Sequence, residues 1–270
     1  MPVTEAEIPL TDLADRLARA VRRAGALALD KFGSPIRKWT KGGNSPVCEA
    51  DIEIDLLLRD ELMRETPRYG WLSEESSDDA RRLAVRRVWI VDPIDGTRGF
   101  IDGEPDWTIS AALVEDGRPA VAALFAPVSD ELFLATKGQG ASHNGLAIRS
   151  DPGDRLDGAR LAGPKRRLER FAAIVPGITM VPKIHSLALR LARVAAGTLD
   201  AAFAGPNSHD WDLAAADLLV HEAGGVLTSL AGDTPVYNRP DPVHGALIAA
   251  GAARHATIMG LVRARMADFA

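Results

Sequence analysis

Apolar positions along the chain hold one spacing at a time and change it twice. Over residues 11–32, Leu13, Leu17, Val21, Ala24 and Ala28 recur at helical intervals and line one face. Thr11 stands as the cap, Asp12 and Asp15 suit the positive end of a helix, and Gly33-Ser34-Pro35 stops it. A second helix is expected over residues 50–65, with Ile52, Leu56, Leu57 and Met63 inward and Thr66-Pro67 as its stop. Two helices therefore precede the first strand. The spacing then becomes extended. RVWIVDPI, TISAALV and PAVAALFAP are short and rich in β-branched or aromatic residues, and EDGR between the last two contains an Asp-Gly turn. ELFLAT and the stretch after His143-Asn144-Gly145 continue as antiparallel strands, because Asn-Gly favours a tight hairpin. This half reads as an antiparallel sheet backed by helices.

The second change comes near residue 150, where SDPGDRLDGARLAG is rich in Gly, Pro and Asp. Beyond it helices and strands alternate: SLALRLARVAAG and WDLAAADLLVHEA read as helices, LDAAFA and GALIAAG as strands, and a closing helix runs through Met266. A boundary is placed there, and no internal repeat suggests a solenoid.

Composition adds mainly exclusions. With 270 residues, 46% apolar and 26% charged, the chain can bury a substantial core. A net charge of −5, without a Lys/Arg cluster interleaved with aromatics, argues against nucleic-acid polymers as partners. No apolar stretch is long enough to span a bilayer, and MPVTEAEIPL lacks the basic start and apolar run of a secretory signal, so a cytoplasmic location is expected. The single cysteine, Cys48, excludes an internal disulfide and leaves an inert buried thiol or a reactive one. His143, His185, His209, His221, His244 and His255 show no zinc spacing, and no G-x-S-x-G elbow offers a nucleophilic serine.

The chemistry gathers at Asp92-Pro93-Ile94-Asp95-Gly96-Thr97. Pro93 interrupts an ordinary strand ladder, so the chain must turn where two carboxylates sit. Gly96 permits close approach to the backbone, and Thr97 offers a hydroxyl and an amide at the start of a short helix through Phe100. A phosphate there would be repelled unless a divalent cation lay between, and hard oxygen ligands suit Mg²⁺. Taken alone, D-x-x-D-G-T is equally an ordinary surface turn. Two other segments bear on the choice. Glu74 and Glu75 follow the apolar pair Trp71-Leu72, and Asp212 opens an amphipathic helix behind Trp211, where it serves either the helix end or a ligand set.

SEES, DPIDGT and WDLAA, in this order and spacing, resemble the inositol monophosphatase superfamily of metal-dependent, lithium-sensitive phosphomonoesterases. The likeness runs from about residue 10 to 250 and includes EADIEID, the hairpin after DPIDGT and the AGG that closes the WDLAA helix. It implies an α+β fold, a layered αβαβα sandwich. Residues 1–150 would form an α+β part with the antiparallel sheet and most metal ligands, and residues 151–270 an α/β part supplying Asp212 and the substrate loop. The resemblance implies two Mg²⁺ ions, or three. Glu74, Asp92 and the Ile94 carbonyl would hold one, and Asp92, Asp95 and Asp212 a second, with Asp92 bridging. It implies Glu74, Thr97 and Asp51 as catalytic groups, Thr97 with Asp51 activating the attacking water. It places Gly96, Thr97 and Asp212 against the substrate, the amides of Gly96 and Thr97 receiving phosphate oxygens. Homodimers are common in the family.

Glu75 is left between supporting the site, holding a third ion and facing solvent. Lys41 lies between contacting phosphate and being solvated. His209 and Asp210 either line the substrate pocket or hydrogen-bond within their loop. Relatives selective for inositol phosphates resemble one another in an acidic residue several positions before the WD aspartate, whereas AGPNSHDWD has Gly205 near that position. The Gly-Pro lead is more similar to 3′-phosphoadenosine 5′-phosphate phosphatases, and DPIDGTRGFIDGEPDW, with Arg98 after Thr97, is also similar to histidinol-phosphate phosphatases. The expected order is 3′-phosphoadenosine 5′-phosphate, the substrate of 3′(2′),5′-bisphosphate nucleotidases, then inositol 1-phosphate, then histidinol phosphate. An inactive metal- or anion-binding homologue would show a broken ligand set; every motif acid is present here.

Overall fold

The computed structural model describes residues 8–41 and 46–265, so residues 42–45 of the WTKGGNSPV loop and Met266 of the expected closing helix lie outside it. Helices α1 (Leu10–Lys31) and α2 (Glu49–Glu65) pack on one face of a seven-stranded sheet. Its spatial order follows the chain: β3 (Gly70–Ser73), β4 (Arg87–Asp95), β5 (Thr108–Glu115), β6 (Arg118–Ala126), β7 (Glu131–Thr136), β8 (Ala141–His143) and β9 (Leu146–Ile148). All neighbours are antiparallel except β3 and β4, which are parallel. Helices α5 (Leu187–Ala195) and α6 (Asp210–Glu222) cover the opposite face. They also pack on a second sheet, ordered β11 (Thr179–Met180), β10 (Arg160–Ala162), β12 (Ala201–Ala204), β16 (Leu247–Gly251) and β14 (Gly225–Ser229). Helices α4 (Lys165–Ile174) and α7 (Ala252–Ala264) close the far side through Leu168, Phe171, Ile258 and Val262. The layers are α, β, α, β, α, as expected. No helix among the described residues is long and apolar enough to cross a membrane.

Burial on both faces explains the near-continuous apolar strands. In β4, Trp89 and Val91 face α1 and α2, while Val88 and Ile90 face α5 and α6. Asp116-Gly117 and Asn144-Gly145 turn with positive φ at both residues (50° and 75°, 48° and 80°), the geometry a right-twisted hairpin selects.

Three expectations about the N-terminal helices need correcting. Pro9, not Thr11, precedes the first turn of α1, and no side chain caps it. A hairpin of β1 (Lys38–Thr40) and β2 (Pro46–Cys48) lies between the two helices. The three residues of β1 are all exposed, so no apolar alternation announces it. The inward face of α2 consists of Ala50, Asp51, Ile54, Asp55, Leu58 and Leu62, while Leu56 is 60% exposed. Two aspartates on the buried face misdirect an apolar count.

Helix α1 lies close on β6 because Gly25 leaves room: a Cβ there would sit 2.5 Å from the Phe125 ring. Gly25→Ala is expected to lower stability by about 1–3 kcal/mol through overpacking, read as a lower urea midpoint with phosphatase turnover retained.

Candidate active site

Strand β4 brings the first acids. On a regular strand, residues three apart point to opposite faces. Asp92 pairs with Ser110 of β5 and Asp95 with Thr108, with a register shift between them. Three steps along β4 thus match two along β5, and the extra residue bulges at Pro93-Ile94, where proline cannot donate to the ladder. Since Ser110 and Thr108 share a face, the bulge sets both aspartates on one face. The ladder does not end at Pro93; it resumes at Asp95. Parallel pairing of β3 with β4 carries Glu74 alongside Asp92, with the Glu74 amide donating to the Val91 carbonyl at 3.3 Å. Gly96 then turns with φ 98° into α3 (Thr97–Asp102), where a Cβ would lie 3.1 Å from the Ser186 nitrogen.

Helix N-termini converge on this corner. Asp51, in the first turn of α2, accepts from the Cys48 amide and thiol, both at 2.8 Å, through Oδ2. Its Oδ1 lies 2.9 Å from Thr97 Oγ1, which is also 2.9 Å from the Ile94 carbonyl. The single hydroxyl proton serves one of these acceptors at a time. Asp212, in the first turn of α6, accepts from the His209 amide at 2.6 Å. One carboxylate oxygen from each of Asp92, Asp95 and Asp212 lies within 4.8 Å of the others, so the helix-end role and a ligand position coexist in Asp212. Asp95 Oδ2 accepts from Ser186 Oγ and the Ala188 amide, both at 2.6 Å, and Oδ1 from the Leu187 amide at 3.2 Å.

Crowding and burial set the charge state. Burial, with Asp212 and Glu75 adding to it against Lys41, pushes Glu74 up to about 8. Burial and then Asp212 push Asp95 up to about 7 despite its three donors. Asp92 stands well above the ordinary carboxylate range because it is buried beside Glu74, Asp95 and Asp212, and burial raises Asp51. Asp92 Oδ1 is buried without a hydrogen-bond partner among the described residues. An all-oxygen, multiply acidic donor set with an orphaned lone pair fits a hard divalent cation such as Mg²⁺.

Every acid the sequence singled out for the metals therefore meets at one corner, with Thr97 and Asp51 beside them. Lys41 is not merely solvated: its Nζ donates to the Glu74 carbonyl at 3.1 Å and pairs with Glu75. The Glu75 side chain is only 1% exposed, which removes the solvent-facing alternative. Asp210 is fully buried, accepting from the Asn238 amide at 2.7 Å and pairing with His244 Nε2 at 2.6 Å, so it hydrogen-bonds within the fold. His209 stacks on Trp211 at 4.5 Å between ring centroids. The sequence reading missed Ser186 and Arg190. Serine ahead of an apolar run, as in His185-Ser186-Leu187, is a cap signal that could have found the first. Arg190 reaches back along α5, donating to the Phe203 carbonyl at 3.1 Å and the Ile184 carbonyl at 3.0 Å.

The layered αβαβα fold sets crowded carboxylates beside a glycine-led helix, a donor set suited to a hard divalent cation. The model of the Inositol monophosphatase family matches residues 10–266, and the chain belongs to that family. It is 38% identical over 237 residues to the histidinol-phosphatase of Mycobacterium tuberculosis, covering 83% of this chain and 86% of that one. It is 35% identical over 228 residues to the Nus factor SuhB of Escherichia coli strain K12, covering 79% and 84%. The solved IMPase of Thermotoga maritima superposes with a TM-score of 0.84 at 27% identity, covering 96% of this chain and 100% of that one. Family membership makes the protein a metal-dependent phosphomonoester hydrolase.

The raised carboxyls have a measurable sign. A group with a folded pKa above its unfolded one binds more protons when folded, so stability falls as pH rises between the two values. For Glu74 that window runs from 4.5 to about 8, and for Asp95 from 3.8 to about 7. In EDTA, thermal unfolding is expected at a higher Tm near about pH 5 than near about pH 8, and the Mg²⁺-induced rise in Tm should grow over the same interval. Differential scanning fluorimetry reads both trends.

Proposed function

We propose that this chain hydrolyses a small phosphomonoester with two Mg²⁺ ions at the Asp92 corner. Glu74, Asp92 and the Ile94 carbonyl would hold one, and Asp92, Asp95 and Asp212 the other. When bound, the ions neutralise phosphoryl oxygens and lower the pKa of water. The convergence of Asp92, Asp95 and Asp212 within 4.8 Å carries the reading. Thr97 would accept a hydrogen bond from the attacking water and, as it takes that proton, pass its own hydroxyl proton to the Asp51 carboxylate, which the Cys48 amide and thiol hold in place. The Gly96 and Thr97 amides receive phosphate oxygens. We extend the same reading, by likeness to the family, to a cytoplasmic homodimer that is sensitive to lithium.

For the substrate, we infer a leaving group that carries a second negative charge. We take Ala204 and Gly205, which carry no acid, as the substrate wall ahead of Asp212, where the Arg190 guanidinium, within reach of Asp95 and Asp106, donates to the Phe203 carbonyl of β12. That wall favours an anion over the cationic leaving group of histidinol phosphate. 3′-Phosphoadenosine 5′-phosphate is the compound this favours.

Asp95→Asn is expected to lower Mg²⁺-dependent turnover by about two orders of magnitude or more while circular dichroism stays unchanged. Unchanged hydrolysis would remove the ligand assignment. In a panel with Mg²⁺, kcat/KM for 3′-phosphoadenosine 5′-phosphate is expected to exceed that for inositol 1-phosphate and histidinol phosphate by about tenfold or more. The reverse order would overturn the substrate and leave the phosphatase standing.

A further inference from the structure

Away from the carboxylates, Pro164, Arg166, Arg167, Arg170 and Pro206 line a cavity of about 180 Å³. Helix α4 supplies the three arginines within five residues, in a chain whose overall charge is −5. Lys165 pairs with Glu169 at 3.8 Å, and Arg170 lies close enough to Arg167 to repel its charge. Arg167 Nη1 is buried and finds no hydrogen-bond partner among the described residues. Burial and the adjacent Arg170 pull its guanidinium below the ordinary value, the mark of a cation short of negative charge. A buried guanidinium donor left without an acceptor is costly, and a planar fork of donors matches phosphate geometry.

The location ties the cavity to the active site. Pro206 belongs to the segment that leaves β12 and delivers Asp212, and the Gly205 position packs 3.7 Å from Pro164. Arg190 donates to the Phe203 carbonyl on the strand that this segment leaves.

We propose that Arg166, Arg167 and Arg170 form a phosphate-binding site beside the loop that carries Asp212. The site takes a phosphate group, either the second phosphate of a bisphosphorylated substrate or free inorganic phosphate. The first source rests on the leaving-group reading above; the second does not.

The test uses the full chain, Arg167→Gln, and the double variant Arg166→Gln/Arg170→Gln at two exposed positions, which keeps the question open should the first variant unfold. With Mg²⁺, each is expected to raise KM for 3′-phosphoadenosine 5′-phosphate about tenfold while kcat and the KM for adenosine 3′-phosphate stay unchanged. That result assigns the site to the substrate's second phosphate. If neither KM moves, millimolar inorganic phosphate in EDTA should raise the Tm of the parent chain and not of the variants, which assigns the site to free phosphate. Equal KM rises for both nucleotides, or no change in any measurement, would overturn the site. A parent chain that hydrolyses neither nucleotide refutes the leaving-group reading instead, and the phosphate-dependent Tm then decides the site alone.

Discussion

Like charges held together out of water are the constraint around which this molecule is arranged. Burial and the neighbouring carboxylates raise Glu74, Asp92 and Asp95, and Lys41 offsets this only in part at Glu74. Relief comes from backbone dipoles. At the N-terminal ends of α2, α5 and α6 the amides of Cys48, Ala188 and His209 donate to Asp51, Asp95 and Asp212, so three helix ends face one small volume. An arrangement that softens the repulsion without neutralising it keeps affinity for a divalent cation.

The layering follows from that need. Helices α5 and α6 can present their first turns to β4 only if they lie between the two sheets, and packing on both sides fixes them there. Phe100 of α3 meets Trp107 edge-on at 4.8 Å, which seats the turn carrying Gly96 and Thr97. The hydrophobic core thus aims polar groups as well as excluding water.

Legibility in the sequence divided along physical lines. The turn-forming pairs Asp116-Gly117 and Asn144-Gly145 act locally, and both hairpins were readable from them. The acids were visible as separate segments, but what assembles them is long-range: parallel pairing for Glu74, a bulge for Asp95, a cap for Asp212. Likeness to a family joined them before geometry could. The face expected for helix α2 is rotated from the observed one, because Asp51 and Asp55 stand on its buried side, where apolar periodicity cannot register them. Ser186 and Arg190 act through contacts with distant segments, and only the serine left a local cue.

The bulge at Pro93-Ile94 makes parity part of the molecule's design. Side chains along a strand take two phases, and the extra residue switches phase between Asp92 and Asp95. The shared face of the two acids therefore depends on the three-residue step and the bulge together. Ile94 is fully buried in the core on the α1 and α2 side, and without the bulge the same three steps would send Asp95 to the opposite face, away from Asp212 and the start of α5.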